Sequence, residues 1–303
     1  MTVSGRLTIF SAAERPYCEA LLRGFAARHP AVELDFVFGI STKLHDRYMA
    51  EYAAGGATAD LVWSSAMDQV MGLVLQDHAQ KHGVAHGLPA DADWQGLALA
   101  TTREPVFSLA RAGLPAGSFG EIAAYLRATP GPVAVPDIVA NGLGFLALLH
   151  ASLEDPDFEA GFAALAERRP VPCGSAPALV QAMQQGVLAV HVLGAYALRA
   201  AAADPALHIA ASARPAPAVA RLAFIPRRAG NPAAAAAFLA HMVSPEGQAA
   251  LAEGGFWPVL PTPLLATPPR PIAPIPLDAG FTRLLDPGRR AALVARWRKA
   301  MTP

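Results

Sequence analysis

With 53% hydrophobic and only 16% charged residues, this 303-residue chain is not a disordered one, which needs low hydrophobicity and high charge. Its 24 basic and 24 acidic residues cancel, which excludes long-range attraction to nucleic acid or to an anionic membrane. The length suffices for two lobes with sizeable cores.

Leu7-Thr8-Ile9-Phe10 is a short apolar run that predicts a buried strand. A helix is predicted from about Ala13 to Arg28, because Tyr17, Leu21 and Phe25 recur four apart with Cys18 and Leu22 beside them. His29-Pro30 ends it. Val32–Phe38 reads as the second strand, after which Ser41 or Thr42 caps a helix to about Ala54, stopped by Gly55-Gly56. Asp60–Trp63 reads as a third strand, and Ser64-Ser65 starts the next helix. Apolar strands alternating with helices imply a parallel sheet covered on both faces.

Leu97–Leu109 is a long extended run interrupted by Thr101-Thr102-Arg103-Glu104-Pro105, long enough to leave one lobe and enter another. A second α/β unit follows. It comprises the helix Phe119–Leu126, the strand Val133–Pro136, a helix opening at Asn141-Gly142-Leu143-Gly144, and the helix Asp157–Arg168. The strand Val171–Cys173, the helix Ala176–Gln185 and the strand Leu188–Leu193 complete it. The extended runs His208–Ala211 and Arg221–Ile225 carry the chain back, before helices at Pro232–Val243 and Pro245–Glu253. Pro258–Pro276 holds eight prolines in nineteen residues and predicts a polyproline-like strap. An amphipathic helix, Pro287–Met301, closes the chain with Leu293, Val294 and Trp297 on one side.

Five places share one pattern, a strand end followed by Ser, Thr or Gly at a helix start: Ser11-Ala12-Ala13, Ser41-Thr42, Ser64-Ser65, Asn141-Gly142-Leu143-Gly144 and Gly174-Ser175. In an open parallel sheet such points lie at the carboxyl ends of the strands, where ligands bind. Free backbone N–H groups and the helix dipole there favour an anionic or strongly polar ligand. Two lobes presenting such edges to each other form a cleft that closes by a hinge.

Other chemistries find little support. Gly142-Leu143-Gly144 lacks the third glycine of a dinucleotide fingerprint, and no phosphate-binding P-loop is present. No G-x-S-x-G elbow exists, and Ser41 and Lys43, two apart at a helix start, point in different directions. Asp77, His78, His82 and His86 read as solvated loop residues, since Gly83 and Gly87 break the helix that a four-residue His spacing needs. His191, in an apolar strand, is expected to hydrogen-bond the backbone. Cys18 and Cys173 are expected as free, buried thiols. The most apolar stretch, 187–203, contains His191 and Arg199 and is too short for a membrane span. No basic, apolar leader precedes the first strand, so no signal peptide is visible.

Four segments resemble the type II periplasmic binding proteins of the ferric-iron and phosphonate transport group. Leu7 to Glu14 is similar to that group's first strand and ligand loop, and Ala59-Asp60-Leu61-Val62-Trp63-Ser64-Ser65 to its "ADV" strand and serine loop. Val243-Ser244-Pro245-Glu246-Gly247-Gln248, followed by Gly255-Phe256-Trp257-Pro258, resembles its late "S-x-E-G-Q" helix start. The tail from Leu284 to Arg298 is similar to a subgroup found beside two-component sensors. The resemblance implies a two-lobed α/β fold, mixed or parallel sheets with helices on both faces, and two crossover strands near Thr101–Glu104 and Ala213–Leu222. Lobe one is then 1–101 with 218–303, and lobe two is 102–217. It further implies a monomeric, periplasmic, non-enzymatic protein without cofactor, which delivers a small anionic solute to ABC permease subunits. Partnership with a membrane sensor kinase, or an enzyme on the same scaffold, are the alternatives.

Ferric-binding members of the group use two adjacent tyrosines with a His and a Glu. The matching stretch here keeps only Tyr196, with Ala195 in the partner's place, and Glu14 stands where the first-lobe His would be. One phenolate and one carboxylate make a poor Fe(III) site, so the expected ligand is an organic carboxylate, phosphonate or phosphate ester. Its expected contacts are Ser11, Ala12, Ala13, Glu14, Ser41, Thr42, Ser64, Ser65, Asn141, Gly142, Gly144, Ser175 and Tyr196.

Overall fold

A computed structural model describes residues 3–111, 113–261 and 270–301. The chain divides into two compact units, the first comprising Met1–Arg103, Ala220–Ala266 and Pro276–Phe281, the second Glu104–Val219, Thr267–Ile275 and Thr282–Pro303.

In unit 1 the strand β1 (Gly5–Ser11) leads to α1 (Arg15–Arg28), β2 (Val32–Phe38), α2 (Ser41–Ala53), β3 (Leu61–Ser64) and α3 (Met67–Leu75). β1 lies parallel to both β2 and β3. Two short strands, β4 (Ala79–Gln80) and β5 (Asp93–Trp94), precede the long β6 (Ala98–Ala110), within which the chain passes into unit 2. The apolar run of β1 is buried on both faces, with Leu7, Ile9 and Phe10 all essentially inaccessible. α1 places Cys18, Leu21, Leu22 and Phe25 on its inner stripe, the three- and four-residue spacing of an amphipathic helix.

Unit 2 holds α4 (Phe119–Ala128), β7 (Val133–Pro136), α5 (Gly142–Glu154), α6 (Phe158–Glu167), β8 (Val171–Cys173), α7 (Ala176–Ala182), β9 (Leu188–Leu193), α8 (Gly194–Ala203) and β10 (His208–Ile209). β7 is parallel to β8 and β9, whereas β6 runs antiparallel to β9. α4 begins at a reciprocal capping box, Ser118 accepting from the Glu121 N–H while the Glu121 carboxylate accepts from that of Ser118.

The chain returns through β11 (Ala216–Pro226), antiparallel to β3, into α9 (Pro232–Val243) and α10 (Pro245–Glu253). β12 (Ile272–Pro274) runs parallel to the start of β11, and α11 (Pro287–Met301) closes the chain. Each unit is therefore a mixed sheet, in which a parallel set is joined by antiparallel strands: β11 beside β3 in unit 1 and β6 beside β9 in unit 2, with the short β4, β5 and β10 also pairing antiparallel. The middle of the predicted polyproline strap, 262–269, lies outside the described residues. The sequence expectation put α11 in lobe one, but it belongs to unit 2. Arg290 lies 4.0 Å over the Phe145 ring, and Arg296 pairs with Glu159 at 2.7 Å and covers Phe162. Trp297 shares a small apolar hollow with Val135, Leu148, Phe162 and Leu165. An amphipathic stripe shows that a helix needs a partner, not which one.

The two motifs carried by α10 and β3 serve the scaffold of unit 1. Ser244 caps α10 by accepting from the Gly247 N–H at 3.1 Å, and a Cβ at Gly247 would collide with the His241 carbonyl. Gln248 is 1% exposed. It donates to the Thr101 and Met242 carbonyls at 2.9 Å and accepts from the Val259 and Leu260 N–H groups at 2.8 and 3.1 Å. Asp60 accepts from the Thr8 and Asn231 N–H groups, which ties β1 to the start of α9.

Candidate functional site

The carboxyl end of the unit 1 sheet gathers the first eight expected residues. Ser11 ends β1, fully buried, and its hydroxyl accepts from the Ala13 N–H at 3.0 Å. The Ala12 N–H donates to the Trp63 carbonyl, and the Gly39 N–H to that of Ser11. Ser64 ends β3; its hydroxyl accepts from the Ala66 N–H at 3.1 Å and donates to the Ser41 hydroxyl at 3.4 Å. Ser65 is buried beside it. These bonds draw the ends of β1, β2 and β3 and the starts of their three helices into one cluster.

The serines do not cap those helices as the sequence suggested. Glu14, Ile40 and Ala66 occupy the cap positions of α1, α2 and α3, with no side-chain cap bond at any of them. Ser41 and Thr42 are the first two residues inside α2, and Ser64 and Ser65 stand ahead of α3. Ser11 and Ser64 instead fold back on N–H groups two residues on, closing the strand-to-helix turns. By contrast α4, α5, α7, α9 and α10 are all capped by their own Ser or Asn. The initial amides and positive dipole ends of α1, α2 and α3 therefore carry no protein side chain as a cap among the described residues.

In unit 2, Asn141 caps α5, accepting from the Gly144 N–H at 3.0 Å. Gly142 and Gly144 are buried in that first turn, and Gly144 lies so close to Pro136 that a Cβ would collide with it. Ser175 caps the short α7. Tyr196 sits in the first turn of α8, with Arg199 5.6 Å from its ring centroid. It packs against the core formed by Phe107, Cys173, Leu179 and Val192. α8 starts without a side-chain cap. The description of each unit places Ser11–Glu14, Ser41, Thr42, Ser64 and Ser65 in unit 1 and the other five expected residues in unit 2.

One residue that sequence reasoning passed over stands at the edge of unit 1. β11 pairs with β3 so that Leu222 opposes Ser64 and Ala223 opposes Trp63. Arg221 is thus level with the Ser65 turn, and alternation puts it on the Trp63 face. It is 3% exposed, its guanidinium 5.5 Å from the Trp63 ring and 5.2 Å from that of Phe256. Among the described residues no acceptor reaches its Nε or Nη1. Trp63 is held by donation of its indole N–H to Thr101 at 2.8 Å, and the Thr101 hydroxyl donates to the Arg221 carbonyl. Nearby Cys18 is pushed up to about 12 by burial, against the lowering influence of Arg221. The signal in the sequence was a lone arginine inside an otherwise apolar eleven-residue strand.

Two histidine expectations change. His78 and His82 are buried rather than solvated, because α3 ends at Leu75 and the following loop folds back on β11 through β4. His82 and His86 face the two oxygens of Asp93 at 3.6 and 3.1 Å, and the three ligating atoms lie within 4.8 Å of one another. The Val84 N–H donates to His82 Nδ1 at 3.0 Å, which leaves the proton of a neutral ring on Nε2, the atom a metal would need. Burial pushes the Asp93 carboxyl up, but bonds from the Gly96 N–H, His86 and His82 outweigh it and hold it below the usual range. His191 adopts φ +57° and lies 6.0 Å from Phe119. Its Nδ1 is sealed from solvent without a hydrogen-bond partner among the described residues, where a backbone bond was expected. With His150, Ser108, Phe107 and Phe119 it lines a cavity of about 330 Å³ in unit 2.

Residues 7–257 match the family of bacterial extracellular solute-binding proteins. No curated protein matches by sequence. Among solved structures, the substrate binding protein of an ABC transporter from Agrobacterium tumefaciens is 25% identical, with TM-score 0.88 over 99% of this chain and 95% of that one. The periplasmic binding protein AfuA from Actinobacillus pleuropneumoniae, solved with fructose-6-phosphate, is 15% identical with TM-score 0.79 over 99% of both chains. The apo ferric ion-binding protein A of Pasteurella haemolytica is 18% identical with TM-score 0.67, over 98% of this chain and 95% of that one. Among the described residues no helix is long and apolar enough to cross a membrane. A family match spanning most of the chain establishes that this chain belongs to the bacterial extracellular solute-binding proteins, a family of binding proteins and not of enzymes.

Proposed function

We propose that the chain captures a small anionic solute in the periplasm (an organic carboxylate, phosphonate or phosphate ester) and hands it to ABC permease subunits. The observation that carries this reading is the edge of unit 1, where α1, α2 and α3 start without side-chain caps around Ser11, Ser41 and Ser64. Helix N-termini of this kind are sites for oxyanions, because unbonded N–H groups and the dipole both favour negative charge. In this reading Ala12, Ala13, Glu14, Thr42 and Ser65 border the solute in unit 1. Asn141, Gly142, Gly144, Ser175 and Tyr196 are the contacts that this reading assigns to unit 2.

Ferric iron is the less suited cargo, since Tyr196 stands with Ala195 at its side and one phenolate with one carboxylate is a weak Fe(III) donor set. AfuA, with its bound sugar phosphate, offers the better precedent for the ligand class. A thermal-shift screen over citrate, methylphosphonate, glycerol 3-phosphate and ferric citrate tests the proposal. A solute at 100 times its Kd stabilises by about 2.7 kcal/mol. The response is expected for at least one oxyanion and is expected to fall in the folded double variant Ser11→Ala/Ser65→Ala. A red-purple phenolate band on adding ferric salt would reverse the assignment to iron, and an unchanged double variant would remove these serines from the site.

A further inference from the structure

Arg221 is a buried cation whose Nε and Nη1 find no acceptor among the described residues, at the same edge as the uncapped helix starts. Its neighbours are two aromatic rings, Trp63 and Phe256. They attract the guanidinium through their π faces and offer its N–H groups no acceptor. Nε and Nη1 are both sealed and without a hydrogen-bond partner among the described residues. A sheet strand that buries an arginine this way carries a desolvation penalty that hydrophobic packing would avoid, and native folds rarely leave such donors empty. The register puts Arg221 one step beyond the Leu222–Ser64 pair, level with Ser65, and Trp63, which flanks it, is itself fixed by Thr101. Position and rigidity are therefore both supplied before any solute arrives.

Building on the anionic reading above, we propose that Arg221 is the oxyanion-recognition residue of unit 1. It donates to a carboxylate, phosphonate or phosphate group whose remaining oxygens face the amides at the starts of α1 and α3. The aromatic pair holds the guanidinium plane, so that the fork is presented in one orientation, a geometry that suits planar or tetrahedral oxyanions and is not reproduced by lysine. A neutral solute leaves the charge uncompensated and is rejected.

Isothermal titration of the parent, Arg221→Met and Arg221→Lys with citrate, methylphosphonate and glycerol 3-phosphate, and with glycerol as the neutral control, tests this. The three anions separate a carboxylate from a phosphonate or phosphate-ester preference. Whichever anion binds the parent is expected to bind Arg221→Met about 100-fold more weakly and Arg221→Lys at an intermediate level. The unliganded Arg221→Met protein is expected to melt at or above the parent's temperature, because a buried charge with unfilled donors has been removed; a purely structural strut between the rings would instead melt lower. Binding by Arg221→Met within threefold of the parent overturns the role of Arg221 while leaving the anionic reading intact. A parent that binds none of the three anions overturns the anionic reading and this proposal with it. If Arg221→Met does not fold, Arg221→Gln carries the same comparison, and threefold or smaller loss in that variant overturns the proposal equally.

Discussion

Replacing Gln248 by leucine tests how the late helix-start motif holds unit 1 together. The side chain is 1% exposed and satisfies four backbone groups at once, the Thr101 and Met242 carbonyls and the Val259 and Leu260 amides. Leucine leaves all four without that partner. At the lower end of the cost of an orphaned buried group, about 1 kcal/mol each, the loss is about 4 kcal/mol. The more apolar side chain returns about 1–2 kcal/mol, so the expected net destabilisation is about 2–3 kcal/mol. Urea unfolding followed by tryptophan fluorescence reads it as a lower midpoint at unchanged slope. Gln248→Glu sharpens the test. One carboxylate oxygen would face the two carbonyls, raising that group's folded pKa above its unfolded value. Stability from such a group is present at low pH and lost as pH rises through the folded pKa. The deficit of Gln248→Glu against the parent is therefore larger at pH 7 than at pH 5. A Gln248→Leu variant within about 0.5 kcal/mol of the parent would refute the accounting.

Burial holds His78, His82, His150, His191 and His241 below the ordinary imidazole value, His191 at about 4. The unfolded chain takes up these protons first, so stability is present above the unfolded pKa and falls as pH drops from about 6.5 toward the folded values. His191 alone contributes roughly 2 kcal/mol of loss between pH 7 and 5; urea unfolding of His191→Asn at both pH values is expected to show that much less pH dependence, and an unchanged slope would contradict it. Cys18, buried and shifted to about 12, is expected to resist a thiol reagent at pH 8 until the chain is unfolded; rapid native labelling at Cys18 would show that α1 opens. Gly161→Ala drives a methyl into the Phe119 carbonyl where α4 crosses α6, and about 1–3 kcal/mol of overpacking is expected as a lower melting transition, with a parent-like melt as the contrary result.

Much of the architecture was legible because its signals are local. The predicted bounds of β2, β7, β8 and β9, and of α9, α10 and α11, coincide with those observed, since apolar runs, proline at a first helical position and Ser or Asn caps act within a few residues. The crossing strand β6 was readable from its length. Misreadings arose where a residue's role is set by partners distant in sequence. Ser41 reads as a cap until the fold shows its hydroxyl accepting from Ser64, 23 positions away. His82 reads as solvated until Asp93 and the folded-back loop cover it.

What the sequence determined by itself was periodicity, and with it the order of strands and helices and the family. Tertiary structure alone decided that α11 packs on α5 and α6, that the helices following β1, β2 and β3 start uncapped, and that Arg221 lies between Trp63 and Phe256. A hydrophobic period specifies which face is buried. The partner of that face depends on register between strands such as β3 and β11, whose paired residues lie about 160 positions apart, and no local pattern encodes it.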